Sequence, residues 1–367
     1  MTLSAAPVLR RLRSYFDWPL AATTLAILAL GLVNLYSATL AVRPALFYHQ
    51  LGWLLLGVLV FVAVAAIDYR TFNRLGYVGW LLGVAALVAV WKLGHSSHGA
   101  RRWIVIAGQW IQPSEFVKLL VVVALAKYAH DAAAGAVSPA RRWLLPTACI
   151  AVPALLVLKQ PDLGTALLFV LLFASVMAVV DLPYLAVVAG ASLVGSPILW
   201  FFGLKDYQKQ RLLSFLDPNR DPAGAGWHAR QSIFAIGSGR LFGKGYLHGT
   251  QNQLNFLPEH WTDFPFAVWA EEWGFFGCTV LLLLYLFLVL WLVNLARQAR
   301  DRFGAVACVG VAALLFWQVV VNVGMVTGIL PVVGVTLPLF SYGGSSMLTV
   351  MAALGLAMNV SVRRSSY

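Results

Sequence analysis

The sequence predicts an all-α, polytopic integral membrane protein: one bundle of about ten transmembrane helices, both termini cytoplasmic, with a long extracellular loop between helices 7 and 8. Composition is the first reason. Of 367 residues, 60% are hydrophobic and 11% charged, less than half the charged share of a soluble globule. Length is the second: the apolar residues gather in runs near 20–40, 49–67, 75–93, 113–129, 143–158, 163–180, 183–203, 264–295, 303–328 and 341–360, and a helix needs roughly 20 residues to cross hydrocarbon. Residues 1–367 therefore read as a single transmembrane domain.

The cations set the orientation. Arg10, Arg11 and Arg13 precede the first run, and an even number of spans brings Arg70, Arg74, Arg141, Arg142, Arg297, Arg300, Arg302, Arg363 and Arg364 to the same, cytoplasmic side. The first run follows a basic stretch as a signal peptide does. It is long, however, and lacks a clear small-residue cleavage site, so it is expected to stay as a helix.

The loop of about 204–262 lies outside in this topology yet carries Lys205, Lys209, Arg211, Arg220, Arg230, Arg240 and Lys244. A loop of that length usually has a function. Its charge suits an anionic partner; equally, long loops are translocated despite their charge, and the cations would then meet phospholipid head groups. The net charge of +12 is accordingly assigned to membrane lipid or an anionic substrate, with no nucleic acid. Cys149, Cys278 and Cys308 all fall in apolar runs and read as small core residues rather than a disulfide or metal set.

Polar residues in or beside the spans form clusters that this topology puts at the outer face. Arg101, Arg102 and Trp103 lead into Gln112-Pro113-Ser114-Glu115-Phe116-Val117-Lys118. Pro113 suits a first helical turn, so Glu115 and Lys118 share a face and can pair, as a structural ion pair or as part of a site. Lys159-Gln160-Pro161-Asp162-Leu163-Gly164-Thr165 sits between two runs with almost no loop; it reads as a plain turn or as a cavity lining. The basic loop holds Arg211, then Gly237-Ser238-Gly239 and Gly243-Lys244-Gly245, which lack the strand-to-helix context of a P-loop. Ser341-Tyr342-Gly343-Gly344-Ser345-Ser346 opens the last run, where small residues either permit close packing or present donors to an anion. Finally, Asp263, Glu271 and Glu272 enter an otherwise apolar segment, and a carboxylate there is costly enough to be a functional candidate. The two glutamates lie about two turns deeper than Asp263 and read as a buried structural network.

In wording and order these clusters resemble the SEDS family of shape, elongation, division and sporulation proteins. The matching phrases are Gly-Ala-x-Arg-Trp with Gln-Pro-Ser-Glu-Phe-x-Lys, then Gln-Pro-Asp-Leu-Gly-Thr-Ala, Gln-Lys-x-Arg-Leu, Gly-Lys-Gly, Thr-Asp-Phe with Ala-Glu-Glu-x-Gly, and Ser-Tyr-Gly-Gly-Ser-Ser. Residues 249–259, Gly-Thr-Gln-Asn-Gln-Leu-Asn-Phe-Leu-Pro-Glu, look like the rod-elongation branch rather than the division branch.

The resemblance implies a peptidoglycan glycosyltransferase of about ten helices in the bacterial inner membrane, acting at its outer face on lipid II, the undecaprenyl-pyrophosphate-linked disaccharide pentapeptide. It implies a class B penicillin-binding protein as partner. By its motif positions Asp263 would be the catalytic base, and Arg102, Trp103, Gln112, Glu115, Lys118, Gln160, Asp162, Arg211, Lys244, Thr262, Ser341 and Tyr342 would bind substrate. Displacement at an anomeric carbon needs a base near the attacking hydroxyl and positive charge near the leaving group, which Arg102, Lys118, Arg211 and Lys244 would supply. No cofactor is required; a divalent cation, Mg2+ or Mn2+, could bridge the pyrophosphate, although no cluster has compelling metal-ligand spacing.

The chain departs from the family pattern at one place. Trp261, not His, directly precedes Thr262-Asp263, His260 sits one residue earlier, and Pro265 replaces the usual Ile. A role for that His is not carried over, and Pro265 is expected in a first helical turn. If Thr262 caps the helix, Asp263 lies in its first turn. Two other classes compete with catalysis: a lipid II flippase, against which stand the one-sided clusters and the lack of a visible inverted repeat, and a membrane scaffold, which leaves the charged clusters without a purpose.

Overall fold

The structure, a computed structural model, describes residues 16–364 apart from 41, 98–99, 107, 182, 185, 187–208, 210–214, 216–224, 255 and 258. In chain order its elements are α1 (Trp18–Leu40), α2 (Ala45–Ala66), α3 (Tyr69–Leu93), β1 (His95–Ser97), β2 (Ala100–Ile106), β3 (Gln109–Ile111), α4 (Pro113–Ala133), α5 (Pro139–Lys159), α6 (Leu163–Val180), α7 (Ala225–Ser238), α8 (Thr250–Gln253), α9 (Pro265–Gln298), α10 (Arg302–Val326) and α11 (Gly344–Arg363). Eight of these are long and apolar enough to cross a membrane. The helix α4 coincides with the predicted run 113–129 but carries four charges, and nearly all of the run 183–203 lies outside the described residues.

Short polar residues mark the helix starts. Asp68, Asp162 and Asp301 accept from the backbone N–H groups of Arg70, Thr165 and Gly304, and Pro113 and Pro265 occupy first turns, where a missing N–H leaves no orphan. Asp17 does more: it takes Leu20 N (3.1 Å), Trp291 Nε1 (2.7 Å) and Ser361 Oγ (2.9 Å), joining the starts or ends of α1, α9 and α11.

Burial separates an inner from an outer layer. The helices α10 and α11 are buried along most of their length, whereas α2 and α3 present residues such as Leu55, Leu59, Leu81 and Leu82 outward, as lipid-facing helices do. Packing of α11 on α2 depends on small residues. A Cβ on Gly355 would stand 2.7 Å from the Phe61 carbonyl oxygen, so backbone meets backbone there.

Two features depart from the sequence reading. Within the predicted helical fold, the connection between α3 and α4 is a small antiparallel sheet ordered β1-β2-β3, in which His95 pairs with Trp103 and Val105 with Trp110, a detail among the described residues that the sequence reading did not include. The β-branched and aromatic run Trp103-Ile104-Val105-Ile106 and the positive φ of Gly108 at the turn (78°) explain it.

The second is a break in α9. The run 264–295 reads as one span, but Gly274 has φ 62° and ψ −159°, a conformation open almost only to glycine, and divides it into Pro265–Trp273 and a longer second half. Breaking a helix at membrane depth strands backbone groups that must find partners. Residues 240–245 supply them: Lys244 N donates to Glu271 O (2.9 Å), Gly245 N to Glu272 O (3.0 Å), Phe275 N to Arg240 O (2.9 Å) and Phe276 N to Leu241 O (3.2 Å). That explains the Gly-Lys-Gly sequence. A Cβ on Gly243 would fall 2.0 Å from Glu272 O, so the segment can lie along the break only with glycine there.

Candidate active site

Three of the four clusters and the Asp263 turn meet. Asp162, 2% exposed, accepts from Thr165 N (3.1 Å), Thr165 Oγ1 (2.9 Å) and Gln112 Nε2 (3.2 Å), with Arg102 NH1 3.7 Å away. The same Arg102 donates to Pro161 O (2.6 Å). The short turn between α5 and α6 is thus an N-cap whose carboxylate also gathers β2 and the start of α4. On the other side Gln112 N donates to Ser345 Oγ (2.9 Å), and Thr336 and Ser346 share a hydrogen bond of 3.0 Å.

The segment 333–336 connects this group to Asp263. A Cβ on Gly164 would meet Val333 O at 2.7 Å, so α6 starts directly against that segment. Between Val333 and Val335, Gly334 has φ 72°, and a Cβ there would be 3.3 Å from Asp263 Oδ2. Asp263 is partly buried, in a turn whose N–H donates to Glu259 O (3.0 Å).

Thr262 does not cap the helix. Its hydroxyl turns back to Glu259 (3.3 Å), the first helical residue is Pro265 and Phe264 precedes it without a side-chain cap. Asp263 therefore stands ahead of the helix, just off its N-terminus. Trp261 O accepts from Tyr342 N (2.8 Å), and Arg43 lies over the Trp261 ring at 5.6 Å. Partial burial raises the Tyr342 phenol above its ordinary value. Ser341 is buried and uses its hydroxyl to accept from Leu337 N (2.8 Å), holding the turn.

Other candidates are placed differently. Glu115 and Lys118 form the expected pair, at 2.7 Å, with Lys118 only 1% exposed, so the cation is spent within the bundle. Gln160 donates to Leu87 O (2.8 Å) and ties α5 to α3. Trp103 packs edge-on to Trp110 at 6.3 Å on the sheet. Lys244 is in a separate group: it donates to Glu271 (2.6 Å) and Thr250 Oγ1 (2.8 Å) behind the break in α9. Arg211 lies outside the described residues. Of the described cationic candidates, Arg102 faces the Asp162 group with its side chain 21% exposed.

Reading the sequence missed several neutral residues at the same place. Gln50 accepts from Gly343 N (3.2 Å) and donates to Ser341 O (3.4 Å); Asn34 and Asn322 reach the backbone around Asp263. Each is an isolated amide in an apolar run, a signal as real as a charge but quieter. Among the described residues no group of three or more His, Cys, Asp and Glu is placed to hold a metal ion.

A sequence model of the FtsW/RodA/SpoVE family, described as cell cycle protein, matches residues 18–366. The chain is 42% identical over 319 residues to the peptidoglycan glycosyltransferase MrdB of Escherichia coli (strain K12), covering 86% of this chain and 85% of that one. Among solved structures, a chain of a peptidoglycan synthase complex that coordinates polymerization and crosslinking superposes with a TM-score of 0.82 at 36% identity, over 96% of this chain and 99% of the other. The rod shape determining protein RodA of Thermus thermophilus gives 0.72 at 33% identity, over 95% and 98%.

Proposed function

This chain belongs to the FtsW/RodA/SpoVE family, and we propose that it is a rod-elongation peptidoglycan glycosyltransferase that polymerises lipid II at the outer face of the bacterial inner membrane. The observation that carries the reading is the convergence of Asp263, at the head of α9, with the Arg102–Asp162–Gln112 group across the segment 333–336.

In the proposed step the C4 hydroxyl of the acceptor N-acetylglucosamine attacks C1 of the donor N-acetylmuramic acid. Asp263 takes the hydroxyl proton as the new C–O bond forms, and the bond from C1 to the pyrophosphate breaks with its electron pair leaving on the phosphate oxygen. Net inversion gives a β-1,4 linkage. Arg102 supplies positive charge near the leaving group, which acts strongly where water is excluded. Lys118, buried against Glu115, and Lys244, in the separate group behind the break in α9, are not assigned to the pyrophosphate; Arg102, though beside Asp162, keeps a partly exposed side chain.

The similarity to a chain of a synthase complex supports a crosslinking partner, which we take to be a class B penicillin-binding protein. Polymerisation of purified lipid II by the full chain with that partner tests the reading. Asp263→Asn, matched for folding and complex yield, is expected to lose activity by about 10²- to 10⁴-fold, the usual weight of a general base; wild-type rates would remove Asp263 from that role.

A further inference from the structure

We propose that Asn34 and Asn322 form a two-sided clamp that positions Asp263, an inference that rests on Asp263 being the base. Both amides are fully buried, Asn34 in α1 and Asn322 in α10, and the two helices flank α9. Asn322 Nδ2 donates to Asp263 O at 3.0 Å and to Val335 O at 2.6 Å; Asn34 Nδ2 donates to Pro265 O at 3.0 Å.

The bonds fall on the carbonyls at the start of the helix. Ala267 N (3.0 Å) and Val268 N (3.4 Å) both turn to Phe264 O, and Asn322 donates to the Asp263 carbonyl one residue before it. Because Asn322 also grips Val335, one amide ties together the Asp263 backbone and the segment bearing Gly334, whose Cβ position is 3.3 Å from Asp263 Oδ2. Asn34 fixes the residue two places on. With carbonyls 263 and 265 both held, the dihedrals that aim Asp263 have little freedom.

The cost of the arrangement argues that it has a purpose. The Oδ1 atoms of Asn34 and Asn322 are buried without a hydrogen-bond partner, and an apolar side chain of similar volume would avoid that penalty. What the amides give in return is geometry. Catalytic groups must be held to within about 0.5 Å, and a misplacement of about 1 Å costs on the order of 100-fold in rate.

Asn359 provides an internal control. It is an equally buried amide that donates to Val64 O (2.6 Å) and Ile67 O, between α11 and the end of α2, away from Asp263. The experiment measures kcat and KM for lipid II, together with thermal unfolding, for the full chain with its penicillin-binding partner carrying Asn322→Leu, Asn34→Leu, Asn359→Leu or Asp263→Asn. We expect Asn322→Leu to lower kcat roughly 100-fold with KM changed less than about threefold, and Asn34→Leu to act in the same direction. Asn359→Leu is expected to lower the unfolding temperature comparably and leave kcat near wild type. Wild-type kcat in Asn322→Leu and Asn34→Leu, or an equal loss in Asn359→Leu, overturns the clamp while an inactive Asp263→Asn leaves the base reading standing. An active Asp263→Asn sinks the base reading itself. Failure of both clamp variants to fold where Asn359→Leu folds would also count against positioning, since the amides would then be structural.

Discussion

Lys244→Met should destabilise the protein far more than an ordinary loss of an ion pair, because of what it leaves behind. Glu271 is fully buried, and its Oε1 accepts from Lys244 Nζ (2.6 Å), Thr250 Oγ1 (3.1 Å), Gln251 N (3.1 Å) and Ser238 Oγ (3.4 Å). Removing one partner of a buried pair costs about 3–5 kcal/mol. Lys244 is 28% exposed on its side chain, so water recovers part of that and about 2–3 kcal/mol remains. Glu271→Gln frees a cation that can turn outward and keeps an acceptor for Thr250 and Gln251, so it should cost less, about 1–2 kcal/mol. The double variant carries no stranded charge and should lose less than the sum, with a coupling of about 1–2 kcal/mol. Denaturant unfolding of all four proteins in lipid nanodiscs measures it. A Lys244→Met variant within about 0.5 kcal/mol of wild type, or singles that simply add, would show that the pair behaves as a surface ion pair and that the reasoning from burial is wrong.

Two further outcomes follow from the site. Asp162→Ala removes the cap of α6 and every other bond to this carboxylate and should cost about 1–2 kcal/mol of stability or more, whereas Asp162→Asn keeps one acceptor for Thr165 N but sets an NH2 against Gln112 and the Thr165 hydroxyl and should cost less than the alanine; lipid II turnover reduced in Asp162→Asn beyond its loss of stability would show that the charge beside Arg102 matters apart from the cap. His260, 1% exposed, has its pKa lowered from 6.5, chiefly by burial, against the opposing pull of the Leu257 and Ala38 carbonyls at 2.6 and 2.9 Å. The unfolded chain then binds the proton more readily, so this contribution to stability is complete above pH 6.5 and is lost as pH falls below it. Unfolding followed between pH 7 and about 5 should show that fall in wild type and a shallower one in His260→Phe; parallel curves would refute it.

The bundle was legible in the sequence because a bilayer imposes one length and one composition on every crossing. The pairing of Glu115 with Lys118 and the place of Pro265 followed from helical spacing alone. What escaped was set by tertiary geometry. Nothing local says that Gly274 breaks α9, since a glycine in a helical run is commonly tolerated; the break is visible only when residues 240–245 are found supplying its hydrogen bonds. Gly-Lys-Gly resembles a phosphate loop by composition, yet its glycines allow close approach to another backbone and its lysine answers a buried glutamate. Asn34, Asn322 and Gln50 carry no charge to mark them in the sequence, although in hydrocarbon a neutral amide is also an anomaly. Reading every lone polar residue in an apolar run as a query about a backbone carbonyl would have found all three.

The break and the carboxylate are ends of one rigid piece. From Pro265 to Trp273 the first half of α9 is nine residues, a rod of roughly 13 Å, with Asp263 just beyond its start and the Lys244–Glu271 lock at its end. A tilt of only about 4° at the break would carry the far end through about 1 Å, a displacement that costs a positioned base on the order of 100-fold. The lock and the asparagine clamp thus constrain the same body from opposite ends, one fixing its pitch and the other its tip. A continuous helix spanning the membrane would have its pitch set by the packing of its whole length. Breaking it at Gly274 lets the Asp263 end be aligned by local contacts with residues 240–253, α1 and α10, while the second half is set by its own neighbours, Asp17 at Trp291 among them.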